Sequence, residues 1–539
     1  IRLADRQRPR MLSQVCRDPG SPFYGCWDRN WWHYKIRDFP SVILQQGGYA
    51  AYLAARMPSG ENLDAEALDR LAAASARFWN RRAQRHGAFE EYYPFEQGYP
   101  PLAFSTLANA KLAAAGIVPT TDIRAGLKVA ADQLLTRFEP QAANQQVAGT
   151  AAVAVIRQLA PELIDETRWH DLLDRTLALQ DGDGWFTEYD GPDLGYLAVT
   201  MDCLWDIYDT TGDERCHRAL GKALDFIAWF TEAPPHRAGM HNARNTDYLV
   251  PYAIARLAAE PSERQPLAAL VFDRLFAGAD RPDHFFAAID DRYWCHYIGH
   301  SVLRAIRVLH DADPPASPTD HPAEPSPEIS SCRESSGHAR LGGTTATALV
   351  SARKGAILTA SWPGGAEAAD FGWLVRRGDR QWVSHWWSPA WKIHLGSDEV
   401  RTAGPLVGHR EHTSTPLKHA ILRLGSFLIG RRLIKILKRL LIFKPSGGQM
   451  EFERIVRFDG DTLTIHDRLT GLESGDEIVR APRTSKRHVA SADSYHFEDI
   501  NLLRGVNREE NIVRKANHME VTTKLHTVPP WTSLGCLES

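Results

Sequence analysis

The chain has 539 residues, of which 43% are hydrophobic and 24% are charged, and its formal net charge is −3. A chain of this length is longer than one hydrophobic core normally organises, so we expect more than one domain. The near-neutral charge argues against nucleic acid as a partner, because nucleic-acid binders normally carry a basic excess. No run approaches about twenty uncharged apolar residues, so we expect no transmembrane span.

The sequence leaves the cellular compartment open. The first residues, IRLADRQRPRMLSQ, contain no apolar stretch of the kind that a signal peptide requires. The seven cysteines form no CxxC pair, so neither a zinc ribbon nor a thioredoxin-like motif is indicated. We therefore expect either the cytoplasmic face of a membrane or the periplasm.

Residues 1–310 are predicted to be helical. From about residue 42 to 311, apolar residues recur at i, i+3, i+4 and i+7, in about eleven segments separated by Gly, Pro or Asp signals. Examples are AEALDRLAAASARFWNRRAQ, NQQVAGTAAVAVIRQLA and LGYLAVTMDCLWDIYDTTG. A run of antiparallel helical hairpins closes into a toroid or forms an open solenoid, and we predict an (α/α) toroid.

The loops between these helices are rich in aromatic residues. Three stretches stand out: CWDRNWWHY (26–34), EEYYPFEQGYPP (90–101) and GDGWFTEYDGPDLGY (182–196). Large aromatic faces at one end of a helical ring are what a sugar-binding groove needs, so Trp31, Tyr93 and Trp185 are predicted to contact substrate. The alternative is that such residues close the helix ends as part of the core.

The pattern changes after residue 310. Residues 311–335 are rich in Pro and Ser and lack periodicity, which predicts a linker. Residues 336–539 contain segments that alternate with period two between Gly-Asp turns, such as MEFERIVRFDGDTLTIHDRL. We therefore predict an α+β multidomain chain, in which the toroid is followed by an antiparallel β-sandwich.

One segment of the second domain differs from its surroundings. Residues 417–444, LKHAILRLGSFLIGRRLIKILKRLLIFK, contain no acidic residue, and basic and apolar side chains separate onto two faces of a helix. Such a helix docks peripherally on an anionic membrane or a polyanionic glycan, or packs on the sheet with its basic face in water. The sequence alone does not choose between these roles.

The spacing of two residues and the pattern of two strand-like strings resemble those of a known enzyme family. Asn144 lies in AANQQVAGTAAVAV, and Tyr196 follows 52 residues later; the strings FERIVRFDGDTLTIHDRL and RHVASADSYHFED look like sandwich strands of the same family. With the order toroid then sandwich, the chain resembles the heparinase II/III-like polysaccharide lyases and the related alginate lyases. The resemblance implies β-elimination on an acidic, uronate-containing polysaccharide.

The resemblance also implies roles for individual residues. Tyr196 is the expected catalytic acid or base, and Asn144 the catalytic residue that neutralises the uronate carboxylate. Neutralisation matters because removal of the C5 proton develops enolate-like charge that fixed donors must meet. Gln145 and Gln146 are expected to assist Asn144. In GMHNARNTDYL, His241 is the expected partner in proton transfer, and three further residues are expected to bind substrate: Arg244, Asn245 and Tyr248.

The chain departs from the family pattern at two places. Gln145 stands where the family usually has a His directly after the Asn, and residues 361–375 lack the histidine expected from the sandwich. His385 in VSHWW, or His394 in WKIHLG, is our candidate to supply it from the following strand. His296 and His300 have the i, i+4 spacing of a metal site, but their apolar helix favours structural histidines. We expect no required cofactor, and a structural divalent metal in the β-domain stays open.

Simpler interpretations compete with these roles. Asn144 is a good helix cap, Asp193 is a good N-cap for the helix of Tyr196, and Tyr196 itself fits a core position. The acids Glu188, Asp190 and Asp193 would serve a glycoside hydrolase, which needs two carboxylates. Two alternatives remain. One is a uronyl C5-epimerase that uses the same groove, and the other is a non-catalytic glycan-binding protein of a polysaccharide synthesis or export system.

Overall fold

The computed structural model describes residues 1–58, 63–83, 87, 89–231, 239–246, 248–282, 284–311, 330–409, 413–430, 432–433, 436–437, 449–482 and 503–527. The chain divides into two compact units. The first comprises Ile1–Trp229, Tyr248–His321 and Thr413–Phe443, and the second comprises Phe230–Asp247, Pro322–His412 and Lys444–Ser539. The predicted domains are continuous in sequence, whereas the observed units exchange two short segments.

The helices account for most of the first unit. Their bounds are α1 Arg2–Leu12, α2 Arg29–Trp32, α3 Gly47–Ala54, α4 Ala65–Ala83, α5 Tyr99–Ala114, α6 Thr120–Leu134, α7 Ala143–Leu159, α8 Glu166–Leu177, α9 Leu194–Thr211, α10 Glu214–Thr231, α11 Tyr252–Ala259, α12 Gln265–Phe276, α13 Asp291–Trp294, α14 Tyr297–Asp311 and α15 Pro416–Ile429. Within the described part of 42–311, eleven helices have eight residues or more, in agreement with the sequence periodicity.

Six of these helices form a closed ring. Helix α3 packs on α5, α5 on α7, α7 on α9, α9 on α11, α11 on α14, and α14 again on α3. The partners α4, α8 and α12 pack on α3, α7 and α11, respectively. Helices α5 and α7 are buried along nearly their whole length, and their many alanines allow close helix packing. The predicted (α/α) toroid is confirmed, and the open solenoid is excluded by the contact between α14 and α3.

A charged cluster joins three helices of the ring. Asp206 of α9 accepts hydrogen bonds from Lys111 Nζ of α5 at 2.5 Å and from Arg304 of α14 at 2.7 Å. A cavity of about 30 Å³ lies beside it, lined also by Asp202 and His300, and is large enough for about one water molecule. Burial raises the pKa of Asp202 to about 6 and lowers that of His300 to about 3. The cluster therefore holds a neutral imidazole next to fixed charges.

We expect His300→Gln to reduce the acid sensitivity of folding. His300 Nε2 lies 3.1 Å from the carbonyl oxygen of Gln46, a contact that a glutamine amide also makes. Between the ordinary pKa of 6.5 and the folded value of about 3, the unfolded chain takes up a proton that the native state does not. Wild-type stability should therefore fall by up to roughly 1.4 kcal/mol per pH unit below pH 6.5 through this group.

Urea unfolding at pH 7, 6 and 5 measures this difference. The control is His310→Gln at the exposed end of the same helix, which should keep the wild-type pH dependence. Identical slopes for wild type and His300→Gln would contradict the assignment.

The second unit is built of antiparallel strands. Their bounds are β1 Ser331–Arg333, β2 His338–Gly342, β3 Thr347–Ser351, β4 Ile357–Trp362, β5 Ala366–Asp370, β6 Trp373–Arg377, β7 Arg380–Val383, β8 Lys392–Leu395, β9 Glu399–Pro405, β10 Val407–His409, β11 Glu451–Asp459, β12 Thr462–Thr470, β13 Glu477–Arg480, β14 Leu503–Arg504, β15 Val506–Lys515 and β16 His518–Thr527. They form three sheets with the orders β1-β2-β3-β4-β5-β14, β10-β7-β6-β13 and β15-β16-β12-β11-β9-β8.

The two six-stranded sheets pack face to face. Leu358 and Val350 of the first sheet share one buried cluster with Val456 and Ile465 of the other. The four-stranded sheet packs on the six-stranded sheet that contains β11, β12 and β16. Its residues Trp373 and Val375 share a second buried cluster with side chains of that sheet. Inward-facing apolar residues alternate with exposed ones along β11 and β16, as a sandwich requires. The predicted β-sandwich is confirmed.

Three predicted segments are only partly matched. Strand β1 lies inside the predicted linker 311–335, so the sheet begins earlier than expected, while 312–329 lie outside the described residues. The string KRHVASADSYHF also lies outside them. Helix α15 covers the first half of 417–444 and ends at Gly430, whose φ of 52° favours glycine. Most of the predicted basic face, including Arg431, Lys435, Lys438 and Arg439, lies outside the described residues.

Candidate active site

Glu188 holds the first turn of α7. Its Oε1 accepts hydrogen bonds from the backbone N of Asn144 at 2.8 Å and from Asn144 Nδ2 at 2.6 Å, and both side chains are buried. A short antiparallel bridge between Ala142 and Glu188 keeps the loop against the helix. A carboxylate at this position is favourable because the free N–H groups make a helix start positive. The interpretation of Asn144 as the helix cap is wrong: the N-cap residue is Ala142, and Glu188 supplies the acceptor.

Tyr196 lies in the first turn of α9. Its backbone N donates to Asp193 Oδ1 at 3.1 Å, so Asp193 is the N-cap that the sequence predicted. The ring of Tyr196 is 8% exposed. Because Glu188 lies shortly before α9 and contacts the start of α7, the N-termini of these two neighbouring inner helices lie at the same end of the ring.

Other phenols surround Tyr196 within the first unit. Tyr248 and Tyr297 share a hydrogen bond of 2.8 Å between their hydroxyl groups. Burial raises the pKa of Tyr248 well above 10, and interactions with Tyr297 and Tyr196 add to the shift. The charge of Glu91 raises the pKa of Tyr92, and Tyr196 adds a smaller contribution to this shift. Tyr196 therefore belongs to a group of interacting hydroxyls rather than to a purely apolar core.

The sequence interpretation missed an acidic pair in the loop 90–98. Burial raises the pKa of Glu91 to about 8 and that of Glu96 to about 7, and the charge of Glu96 adds to the shift of Glu91. Glu96 Oε2 accepts hydrogen bonds from the backbone N of Glu91 at 2.9 Å and of Tyr92 at 2.8 Å. The charges of Arg292 and Arg37 oppose the shift of Glu91. Both acids are visible in the sequence EEYYPFEQ, among the aromatic residues of that loop.

Arg292 is a cation that no motif indicated. Its Nε is buried and has no hydrogen-bond partner among the described residues. Burial lowers the pKa of His296, and the charge of Arg292 lowers it further. Neither ring nitrogen of His296 makes a hydrogen bond to the described part of the chain. An arginine with an uncommitted N–H group beside a loop of predicted site residues is suited to hold a carboxylate or sulfate.

The predicted aromatic platforms are more enclosed than expected. Trp31 packs edge-on against Phe23 at 4.7 Å between ring centroids, and Trp185 is buried. Tyr93 is half-buried, whereas Tyr92, which we did not single out, is 60% exposed. The loop aromatic that offers most surface to a ligand is therefore the neighbour of the predicted one.

The two glutamines after Asn144 differ in what they do. Gln146 is fully buried, and its amide oxygen accepts from the Tyr99 hydroxyl at 3.0 Å and from Glu139 N at 2.8 Å. We therefore correct its role to a structural one. Gln145 is half-buried, and its Oε1 has no hydrogen-bond partner in the described part of the chain. Gln145 thus remains the candidate for substrate contact.

The loop 239–246 belongs to the second unit and is fixed by the sheet. Lys354 Nζ donates to the carbonyl oxygens of Met240 at 2.5 Å and Asn242 at 2.6 Å, and also to Asn245 Oδ1. The carbonyl oxygen of His241 accepts from Ser351 Oγ at 2.8 Å. A buried lysine that gathers several oxygens of one loop fixes the backbone from which His241, Arg244 and Asn245 project.

The side chains of this loop are buried. His241 is fully enclosed and its Nε2 lies 2.9 Å from Thr359 Oγ1, and Arg244 is 5% exposed. His385 is buried after β7. The catalytic role of His241 and the binding roles of Arg244, Asn245 and His385 stay predictions. Among the described residues, no group of three or more His, Cys, Asp or Glu side chains is placed to hold a metal ion.

Unusual backbone conformations concentrate in the predicted site loops. Non-glycine residues with positive φ include Phe95 (64°), Tyr189 (55°), Asp190 (75°) and Asn245 (56°). Such conformations cost of order 1–3 kcal/mol each and persist where the surroundings impose them, which is common at functional sites. The loop that carries Glu188 is therefore held in a strained form beside the start of α7.

Comparison with known proteins gives structural similarity only. No protein-family model matches the chain, and no curated protein matches its sequence. A Streptomyces coelicolor A3 chondroitin AC lyase in complex with chondroitin sulphate is 13% identical, covering 97% of this chain and 80% of that chain, with a TM-score of 0.45. A Paenibacillus xanthan lyase is 9% identical, covering 97% and 55%, with a TM-score of 0.45.

A third solved structure belongs to another enzyme class. A family 76 glycoside hydrolase from a bovine Bacteroides thetaiotaomicron strain is 12% identical, covering 57% of this chain and 76% of that chain, with a TM-score of 0.31. Two of the three are polysaccharide lyases, the class that the sequence resembles. Because all three TM-scores are below 0.5, we use none of these similarities to argue for an activity.

Proposed function

We propose that the chain is a carbon–oxygen lyase that cleaves an acidic, uronate-containing polysaccharide by β-elimination. The observation that carries the proposal is the arrangement of Asn144 and Tyr196. They lie in the first turns of two adjacent inner helices, and Glu188 holds the amide of one of them. An amide donor and a phenol at the positive ends of two helices suit an anionic substrate group.

The proposed reaction uses these groups as follows. The C5–H bond and the bond from C4 to the glycosidic oxygen break, a double bond forms between C4 and C5, and the leaving oxygen gains a proton. One hydrogen of Asn144 Nδ2 points to Glu188, and the amide has a second donor to meet the uronate carboxylate. Tyr196 moves the proton: as the phenolate it takes the proton from C5, and as the phenol it then gives that proton to the leaving oxygen, so the residue returns to its starting form. The ordinary phenol pKa near 10 suits the second of these steps without tuning. Gln145, through the amide donor Nε2, and Arg292 assist in binding the carboxylate.

His241 and Arg244 are retained as proposed helpers on the chemistry of their side chains. Their loop is fixed by Lys354, which gives such helpers a defined backbone. We propose no cofactor for the reaction. The proposed partner is a polysaccharide, with no role for nucleic acid.

Product analysis tests the proposal. The protein is incubated with polymers that contain glucuronate, iduronate, mannuronate or galacturonate, and unsaturated uronate is followed by its ultraviolet absorbance. A time-dependent absorbance increase with chain cleavage supports the lyase. Solvent deuterium incorporation without cleavage would identify a C5-epimerase, and binding without turnover on every polymer would identify a glycan-binding protein.

Glycoside hydrolysis is the second candidate, and the acidic pair in the loop 90–98 favours it. A general acid of a glycosidase has a raised pKa, as Glu91 and Glu96 have. A hydrolase would release reducing ends without the ultraviolet signal.

Substitution of Glu188 separates the two candidates. In the lyase, Glu188 positions Asn144, so Glu188→Gln, which keeps an acceptor oxygen, should retain kcat within about 10-fold of wild type. Glu188→Ala removes the acceptor and should lose much more. A hydrolase that uses Glu188 as its acid or nucleophile should lose all measurable activity in both variants. Initial rates on the best polymer measure the difference, and Glu91→Gln is the parallel test of the acid in the loop 90–98.

A further inference from the structure

Helix α15 presents an apolar face to solvent. Leu417, Ile421, Leu424 and Leu428 follow the i, i+4, i+7, i+11 spacing of one helix face, and their exposed fractions are 70%, 61%, 60% and 66%. We call these four residues the apolar stripe. The only buried residue of the helix is Ser426. The helix therefore departs from the usual arrangement, in which the apolar face is buried.

Contacts of the helix with other parts of the first unit leave the stripe uncovered. Arg423 forms an ion pair with Asp38 at 2.5 Å, and Phe427 packs edge-on against Phe95 at 5.3 Å between ring centroids. Thr415 caps the start of the helix by accepting from Lys418 N at 3.3 Å. The exposure of the stripe thus belongs to a capped helix with tertiary contacts.

The charged residues of the segment that carries the stripe are all basic. Lys418 and Arg432 are exposed beside it, and no acidic residue stands between Glu411 and Glu451 in the sequence. Five more basic residues occur in that interval outside the described residues: Arg431, Lys435, Lys438, Arg439 and Lys444. Basic residues that flank an exposed apolar face complement a surface that is anionic outside and hydrocarbon inside.

We propose that α15 docks the protein on an anionic membrane, with the apolar stripe inserted among the acyl chains and Lys418 and Arg432 at the headgroups. A soluble polyanionic glycan would match the charge but not four aliphatic side chains. A two-fold dimer through the stripe would place the same basic residues opposite each other. The mode is peripheral, since no helix in the described part of the chain is long and apolar enough to cross a membrane.

Vesicle co-sedimentation of the full chain tests the proposal. Vesicles of equal parts phosphatidylglycerol and phosphatidylcholine are compared with pure phosphatidylcholine at about 0.05 M and about 0.5 M salt. We expect binding to the anionic vesicles that weakens at high salt. Replacing all four stripe residues with Ser should lower the partition coefficient at least about 100-fold, and Lys418→Ser with Arg432→Ser should lower it roughly 10-fold.

The control variant is Ile512→Ser with Val513→Ser, which removes two exposed apolar side chains of β15 and should bind like wild type. Circular dichroism checks that each variant keeps its fold. Absence of wild-type binding at low salt would overturn the proposal, as would equal binding by the four-serine variant. Self-association in light scattering that the four-serine variant abolishes, or competition by soluble uronate polymer that removes vesicle binding, would also overturn it.

Discussion

Tyr196→Phe is expected to lower kcat about 10²- to 10⁴-fold while KM changes little, which is the range for loss of a general acid or base. The substitution removes one oxygen and keeps the aromatic ring, which is nearly buried in the first turn of α9. The N-cap contact from Asp193 goes to the backbone of residue 196 and is unaffected. The loss should therefore come from proton transfer and not from unfolding.

Tyr208→Phe is the matched control for this variant. Tyr208 lies on the same helix, and its hydroxyl contacts Glu214 at 3.1 Å away from the start of α9. Both variants are compared with wild type by initial rates on the polymer that gives the largest ultraviolet signal, and by thermal melting. If Tyr196→Phe retains more than about a tenth of the wild-type kcat, the phenol does not carry the proton.

The sequence predicted the classes of structure well because periodicity is local. Helical spacing separated the first 310 residues from the alternating strands that follow, and both predictions are confirmed. Ring closure depends on the contact between α14 and α3, which are more than two hundred residues apart and share no sequence signal. Helix α15 shows the same dependence on distant contacts. Its amphipathic pattern was visible, but which face is covered depends on Asp38 and Phe95, far away in the chain.

The candidate site shows the same limit. Asp193 was predictable as a cap because its partner is three residues away. The misassigned cap at Asn144 arose because Glu188, 44 residues later, supplies the acceptor at the start of α7. Arg292 was missed because no motif marks it, and Glu91 with Glu96 were passed over although the string EEYYPFEQ contains both. Their properties come from burial and from neighbours brought together by the fold.

Asp370→Asn should give the largest loss of stability. Asp370 is buried at the end of β5 and pairs with Arg454, and with Arg480 and Arg508 at 3.1 Å each. These arginines lie on β11, β13 and β15, so one carboxylate connects all three sheets of the second unit. Burial alone would raise the pKa of Asp370, but the three arginines outweigh it and hold that pKa well below its usual range.

Removing this charge leaves Arg454, which is fully buried, with Asp467 at 3.5 Å as its remaining counter-ion among the described residues. Breaking a buried ion pair from one side costs about 3 to 5 kcal/mol, since the remaining charge stays desolvated. The contribution of Asp370 is complete above its unfolded pKa of about 3.9 and is lost only as the pH falls toward the lowered folded value. The effect of Asp370→Asn should therefore be constant between pH 5 and 8.

Urea unfolding followed by hydrogen-exchange mass spectrometry of the strand peptides measures this cost, with peptides from α5 and α7 as an internal reference. The control Asp459→Asn changes an exposed carboxylate at the end of β11 and should stay within about 0.5 kcal/mol of wild type. A loss for Asp370→Asn no larger than that of the control would show that the sheets are joined mainly by their apolar faces. Asp467 and Glu510 would then be sufficient counter-ions for these arginines, and Asp370 would add little to the stability of the sandwich.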